Sequence, residues 1–363
     1  MSSADQPGES PARPASSGGS RQPLSNRAGP GIDGLGVSTV PLASRPDDGY
    51  GERLREEVTL DTSRDVRAVS TEQAVENWAG WYADQRDTQV VVEEAETGER
   101  VGFTTPNRFT PEYREMLYAK AQSLERGLRD EWGDMLHTAM LTLTCSTTDD
   151  DGRPRPLVDH LRELLSSWEA VRRSLYRTLD GREWEYLAII EPHESGHAHV
   201  HLGVFVKGPV VAEQFQPVLD AHLDNCAGAG PEAHRAIDED GEEDAVSVRR
   251  SARPDRDDGL ENLGAYLAAY MAGEYGTEAL QMPAHVRAFY AAMWATGAQW
   301  FRPSNGAQRH MQPDEDDAPT GEEWRMVGIA PDGDLDGDII EVDPEQPRRD
   351  PYRRLKAPPP PDT

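Results

Sequence analysis

The segment ESGHAHVHLGVFV, which starts at Glu194, places three of the chain's ten histidines on alternate residues: His197, His199 and His201. Neutral imidazoles are good metal donors, and two of them one pleat apart on a strand lie about 7 Å apart at Cα, close enough to converge on one ion. The apolar run around them predicts such a strand over 199–206, with His199 and His201 on one face and Val200 and Leu202 directed into a core. The run WEYLAIIE (184–191) ends on Glu191, and a hairpin through PHESG would return the chain so that Glu191 lies near His199. Two imidazoles and a carboxylate suit Mg²⁺ or Mn²⁺, and zinc accepts the same donors. Glu194 and His193 fall in the turn and are weaker candidates, and His197 joins the ligand face only if the strand starts early. The bland alternative is that the histidines coat the solvent face of an edge strand.

A second chemical signal lies downstream in GAYLAAYMAG, where Tyr266 and Tyr270 stand at i and i+4 on one face of a predicted helix. Tyr275 falls off that face. Taken alone, two tyrosines on an amphipathic helix read as core residues with polar tips. Beside a divalent cation they acquire another reading. A phenol with a pKa near 10 needs an electrophile already polarised by a cation, and a metal-bound phosphodiester is one.

The elements that would position these groups follow from periodicity. Helices are predicted over 111–132, 159–179, 209–226 and 258–276, and strands over 135–146, 184–191, 199–206 and 244–250. Asp258 and Glu261 open the last helix in the manner of a capping box. Consecutive strands joined by a short turn make a hairpin, so the fold class is α+β, a mainly antiparallel central sheet with helices packed on it. Residues 1–50 and 331–363 are rich in Ser, Pro, Gly and Asp and read as disordered tails, and AIDEDGEEDA (236–245) reads as a solvated loop.

Composition sets the environment. The 363-residue chain carries a formal net charge of -29, with lysine only at Lys120, Lys207 and Lys356. Such acidity ordinarily argues against nucleic acid. In molar salt, however, the Debye length falls to roughly 3 Å and only direct contacts count. Acid-rich, lysine-poor composition is that of haloarchaeal proteins adapted to such a cytoplasm, so the charge is read as a solvation feature. Cys145 and Cys226 lie far apart and form no CxxC pair, which indicates neither a disulfide framework nor a thiolate zinc site. The chain has no apolar run of membrane-spanning length and no apolar signal core, so a cytoplasmic protein with no membrane partner is expected.

Together, EPHESGHAHVH (191–201), MLTLT (140–144) and the pair Tyr266 and Tyr270 resemble, in family order, the three motifs of the HUH endonucleases, specifically the rolling-circle replication initiators of haloarchaeal plasmids or viruses. FRPSNGAQRHM (301–311) is similar to haloarchaeal initiators as well. The resemblance implies a palm of the HUH/RRM-like kind. It places a nuclease domain at 135–280, between an N-terminal helical accessory segment (51–134) and a C-terminal accessory segment (281–330). It also implies that Glu191, His199 and His201 hold Mg²⁺ or Mn²⁺ and that Tyr266 and Tyr270 are the catalytic nucleophiles, Tyr270 being the choice if only one works. The partners implied are single-stranded origin DNA and a host polymerase and helicase.

One departure is Ala269, where many two-tyrosine relatives carry a lysine. No GxxxxGK[ST] loop is present, so an attached helicase is not expected. Thr142 and Thr144 read as β-formers or DNA contacts, and Arg249, Arg250 and Arg253 as phosphate contacts or as partners of the acidic loop. Two other functions stay open: a metal-dependent small-molecule hydrolase with structural tyrosines, and a non-catalytic origin-binding protein on a degenerate nuclease fold.

Overall fold

The computed structural model describes residues 39–49, 51–62, 65–104, 106–250, 263, 264, 267, 277–311, 324–330, 340 and 341. In chain order its elements are strands β1 (Thr59–Asp61) and β2 (Val66–Ala68), helix α1 (Thr71–Asp87), strands β3 (Gln89–Glu94) and β4 (Arg100–Thr104), helix α2 (Pro111–Trp132) and strand β5 (Leu136–Leu143). Helices α3 (Leu157–Ser166) and α4 (Trp168–Thr178), strands β6 (Trp184–Pro192) and β7 (Ala198–Lys207), helix α5 (Gln216–Leu223) and strand β8 (Val246–Arg250) follow. The last are helix α6 (Ala284–Thr296), strand β9 (Phe301–Pro303), helix α7 (Asn305–His310) and strands β10 (Trp324–Ala330) and β11 (Ile340–Glu341).

The fold is α+β, as expected, and its principal sheet is antiparallel throughout with the order β8-β5-β7-β6-β9. The histidine strand β7 is therefore central, with β5 on one side and β6 on the other. Strand parity divides its side chains between two cores. Val200, Leu202, Val204 and Val206 face the larger core together with Leu141, Leu143, Ala188 and Ile190, and residues of α3, α4 and α6 close it. Phe205 faces a second core with Leu136, Leu187 and Ile189, covered by Leu124 and Leu128 of α2, by Leu267 and by Ala307. Both faces are thus covered, and β7 is no edge strand.

Helix α2 is well specified locally. The Thr110 hydroxyl accepts the Tyr113 N–H at 3.3 Å, Pro111 occupies the first turn, and Gly133 at φ 53° ends the helix. Two glycines let neighbours approach closely. A Cβ on Gly203 of β7 would lie 2.4 Å from Leu267 Cδ1, and one on Gly264 would lie 2.3 Å from the Ala121 carbonyl oxygen of α2. Leu263, Gly264 and Leu267 are helical, and buried Glu125 of α2 accepts the Gly264 N–H at 2.8 Å. The remainder of the predicted helix 258–276, including Asp258, Glu261, Tyr266, Tyr270 and Tyr275, lies outside the described residues.

Three local departures from periodicity have physical causes. The predicted helix 159–179 is two helices, because the Ser167 hydroxyl donates to the Leu164 carbonyl at 3.0 Å and competes with the helical ladder. Over 209–226, a 3₁₀ turn (Ala212–Phe215) precedes α5, and Pro217 sits in the first turn of α5. Leu42 and Ala43, inside the stretch read as a tail, are buried in the main core, and the Leu42 N–H donates to the Val69 carbonyl at 2.8 Å. A short apolar anchor of this kind is averaged away in a composition window. Further along the chain, β9, from the segment 281–330, hydrogen-bonds to β6 as the fifth strand. A second sheet, β11-β10-β3-β4, joins residues 324–330 to the β3–β4 hairpin. Among the described helices none is long and apolar enough to cross a membrane.

Beyond the end of β5, buried histidines serve the backbone groups of Thr144 and Cys145. His234 Nε2 accepts the Thr144 N–H at 3.1 Å, His222 Nε2 lies 2.9 Å from the Thr144 carbonyl, and His160 Nε2 lies 3.1 Å from the Cys145 carbonyl. Burial pushes His160 down to about 3 and His222 and His197 to about 4, from an ordinary 6.5. Below pH 6.5 the unfolded chain takes up protons that these folded imidazoles refuse. Stability is therefore full above 6.5 and falls as pH drops towards 4, by up to about 1.4 kcal/mol per pH unit for each histidine. Denaturant titrations in molar KCl at pH 7.5 and pH 5 are expected to show a clear loss of stability at the lower pH; equal midpoints would contradict this assignment.

Candidate metal centre

The β6–β7 hairpin builds the site as its sequence dictates. Its turn closes through the His193 N–H to the His197 carbonyl (2.7 Å) and the Gly196 N–H to the His193 carbonyl (2.8 Å), with Gly196 at φ 80° where a side chain would be strained. This fixes the register that places Glu191 opposite His199. Glu191 Oε1 lies 2.5 Å from His199 Nε2 and 2.6 Å from His201 Nε2, and the two nitrogens are 3.1 Å apart. All three residues are buried, at 5%, 5% and 1% exposure. They share the sheet face of Gly203, on which Leu263 and Leu267 pack.

The donors fit a divalent ion. Octahedral ligands at about 2.1 Å stand about 3.0 Å apart when adjacent, near the separation of the two imidazole nitrogens. Burial pushes the Glu191 carboxyl up, but His201 and His199 outweigh it and hold the group at about 2. Burial also pushes His199 below its ordinary range, against the pull of Glu191. The site thus offers one anionic oxygen and two nitrogens from a buried wall, and His199 Nδ1 has no hydrogen-bond partner among the described residues.

Thr142, weighed in the sequence only as a strand former or DNA contact, does something else. It stands opposite His201 in the β5–β7 register, and its hydroxyl lies 3.2 Å from His201 Nδ1. A partner on the far ring nitrogen fixes which nitrogen faces the ion, and losing such a partner typically costs about 10- to 100-fold in metal affinity. Thr142→Val, which keeps the shape and removes the hydroxyl, is expected to weaken Mn²⁺ binding by that factor in calorimetric titration. The relevant signal was the parity of MLTLT against HVH, which becomes readable once β5 is known to pair with β7.

The other predicted residues fall elsewhere. His197 precedes β7 and turns away from the donors: its Nε2 lies 3.0 Å from the Arg155 carbonyl and its Nδ1 2.9 Å from Ser195 Oγ. It ties the hairpin to the loop before α3. Glu194 is exposed on the turn, and the His193 ring stands 6.4 Å from that of His199. Arg249 pairs with Glu243 of the acidic loop at 2.8 Å, the charge-balancing alternative of the sequence reading. Arg253 and both candidate nucleophiles, Tyr266 and Tyr270, lie outside the described residues. Sequence reasoning also missed that Cys145, Cys226 and Glu163 come together.

With this geometry in place, comparison with known proteins is informative. Residues 42–362 match the family described as "Putative rep protein (DUF1424)". The chain belongs to this family. A relative from Halobacterium sp. (strain GN101), named "Uncharacterized 36 kDa protein", is 77% identical over 326 residues, covering 88% of this chain and 99% of the relative. Another of the same name, from Halobacterium salinarum, is 70% identical over 311 residues, covering 85% and 98%. The haloarchaeal source of these relatives agrees with the acid-rich, lysine-poor composition. No solved structure matches the chain.

Proposed function

We propose that this chain is a rolling-circle replication initiator of the HUH type, a metal-dependent endonuclease and strand transferase that nicks and rejoins one DNA strand at a plasmid or viral origin. The observation that carries this reading is the convergence of Glu191 of β6 with His199 and His201 of the central strand β7, on the face where Leu263 and Leu267 of the tyrosine-bearing segment pack. The family description, which names a rep protein, supports it independently.

In this reading Glu191 Oε1 and the Nε2 atoms of His199 and His201 hold Mg²⁺ or Mn²⁺, and Thr142 keeps His201 in the coordinating orientation. When bound, the ion supplies charge neutralisation at the scissile phosphate and orients it for in-line attack. The oxygen of Tyr270 or Tyr266 attacks phosphorus, and the bond to the 3′ oxygen breaks. The DNA 5′-phosphate stays on the tyrosine, and the other end leaves as a free 3′-hydroxyl for a host polymerase. A second tyrosine four residues away in sequence allows a second transfer, after which the 3′-hydroxyl rejoins the strand. Strand separation falls to a host helicase or to supercoiling, since the sequence has no nucleotide-binding loop of the GxxxxGK[ST] form.

The test is incubation of the chain with a labelled single-stranded origin oligonucleotide and Mn²⁺, resolved on native and on denaturing gels. A shift that survives denaturation and vanishes with chelator is expected. A native shift without an adduct would instead mark an origin-binding protein that does not cut, and no shift at all would favour a small-molecule hydrolase.

A further inference from the structure

We infer that Cys145, Cys226 and Glu163 form a second metal site, separate from the Glu191 centre, that takes a thiophilic divalent cation, zinc. Cys145 follows β5, Glu163 lies on α3 and Cys226 follows α5, so three segments distant in sequence converge. Their two sulfurs and one carboxylate oxygen all lie within 4.8 Å of one another. Both cysteines are free and buried. A tetrahedral zinc with sulfur at about 2.3 Å sets two thiolates about 3.8 Å apart, a spacing inside that limit.

The surroundings are built around these donors. The backbone folds back on them at Gly228, where a Cβ would lie 2.6 Å from Cys145 Sγ, 2.7 Å from Arg155 Nη1 and 3.1 Å from Glu163 Oε1. The Gly228 N–H donates to Glu163, and its carbonyl accepts the Ser146 N–H at 2.7 Å. Arg155 donates to Cys145 Sγ at 3.2 Å and forms an ion pair with Glu163.

Charge decides which ligand fits. With both thiols ionised, the cluster holds three negative charges against the one positive charge of Arg155. The surplus of two is what a divalent cation cancels, and the metal creates it by displacing the thiol protons as it binds. Two thiolates favour zinc over the hard ions suited to the Glu191 centre, and Arg155 stays as an outer hydrogen-bond partner to sulfur. Bound there, zinc would pin the end of the strand that carries Thr142 to α3 and to the segment after α5.

Cobalt(II) is the probe, because thiolate-to-cobalt charge transfer reports sulfur ligation, which the Glu191 centre lacks. The full chain, purified under reducing conditions, stripped with chelator and titrated with Co²⁺, is expected to develop a near-ultraviolet charge-transfer band that zinc erases. The band should persist in the His199→Ala/His201→Ala variant, disappear in Cys145→Ser and Cys226→Ser, and require at least about 10-fold more Co²⁺ in Glu163→Gln. A Ser variant that fails to fold is replaced by alkylation of the wild type, in which zinc should protect both thiols. The inference is overturned by a wild type without the band, by a band indifferent to the Cys substitutions, by thiols that zinc leaves fully reactive, or by recovery of Cys145 and Cys226 as a disulfide in freshly purified chain.

Discussion

Replacing Glu191 by glutamine is expected to weaken Mn²⁺ binding by more than about 100-fold and to abolish nicking, and to lower the thermal stability of the metal-free chain. Loss of an outer partner of a metal ligand already costs about 10- to 100-fold in affinity, so loss of the single anionic ligand should cost more. Stability falls too. The two imidazoles outweigh burial and hold Glu191 well below the ordinary carboxylate range, so its charge stabilises the fold at neutral pH, and an amide of the same shape loses that contribution without opening a cavity. His201→Ala makes the useful contrast. It also removes a ligand, but it leaves the Glu191 charge with one partner fewer and opens space beside it, so it should lower stability further. Calorimetric titration with Mn²⁺ and thermal melts with and without the ion separate the two effects. A glutamine variant that binds Mn²⁺ like the wild type would remove Glu191 from the metal centre.

The Tyr266→Phe/Tyr270→Phe variant is expected to lose covalent attachment to DNA by more than about 10³-fold, because nothing else in the proposed reaction supplies the attacking oxygen. Phenylalanine keeps the ring and removes only the hydroxyl. The donors Glu191, His199 and His201 are untouched by these substitutions, so Mn²⁺ affinity and the melting temperature should match those of the wild type. Of the single variants, Tyr270→Phe should carry the larger loss on first cleavage. Single-turnover assays on a labelled oligonucleotide, run beside metal titrations of the same preparations, provide the comparison. Undiminished adduct in the double variant would exclude both tyrosines as nucleophiles.

The site was legible where chemistry and local geometry coincide. A hairpin of known length fixes register, so Glu191, His199 and His201 could be grouped from the spacing of acid, turn glycine and alternate histidines. The same arithmetic could not say that β7 is the central strand. That depends on β5 and β8, far off in sequence, pairing along its other side, and on α2 covering the histidine face. Burial of the histidines followed from those long-range contacts, where the spacing alone allowed a solvated face. The Cys145–Cys226 proximity was hidden for a related reason. Eighty-one positions separate the two residues (226 − 145), and they meet because α5 lies against α4 while the stretch after α5 returns beside β5, contacts without local periodicity. At Ser167 the sequence did contain the signal, a small hydroxyl residue within an amphipathic run, but the helical period of its neighbours outweighed it.

The most direct measurement is identification of the DNA-bearing residue. A single-stranded origin oligonucleotide is incubated with the chain and Mn²⁺, the denatured adduct is digested with nuclease and protease, and its peptides are mapped by mass spectrometry. The proposed mechanism predicts a nucleotide 5′-phosphate on Tyr270 or Tyr266, absent when chelator is present. A nucleotide on any other residue, or Mn²⁺-dependent cleavage that leaves no peptide carrying a nucleotide, would contradict it.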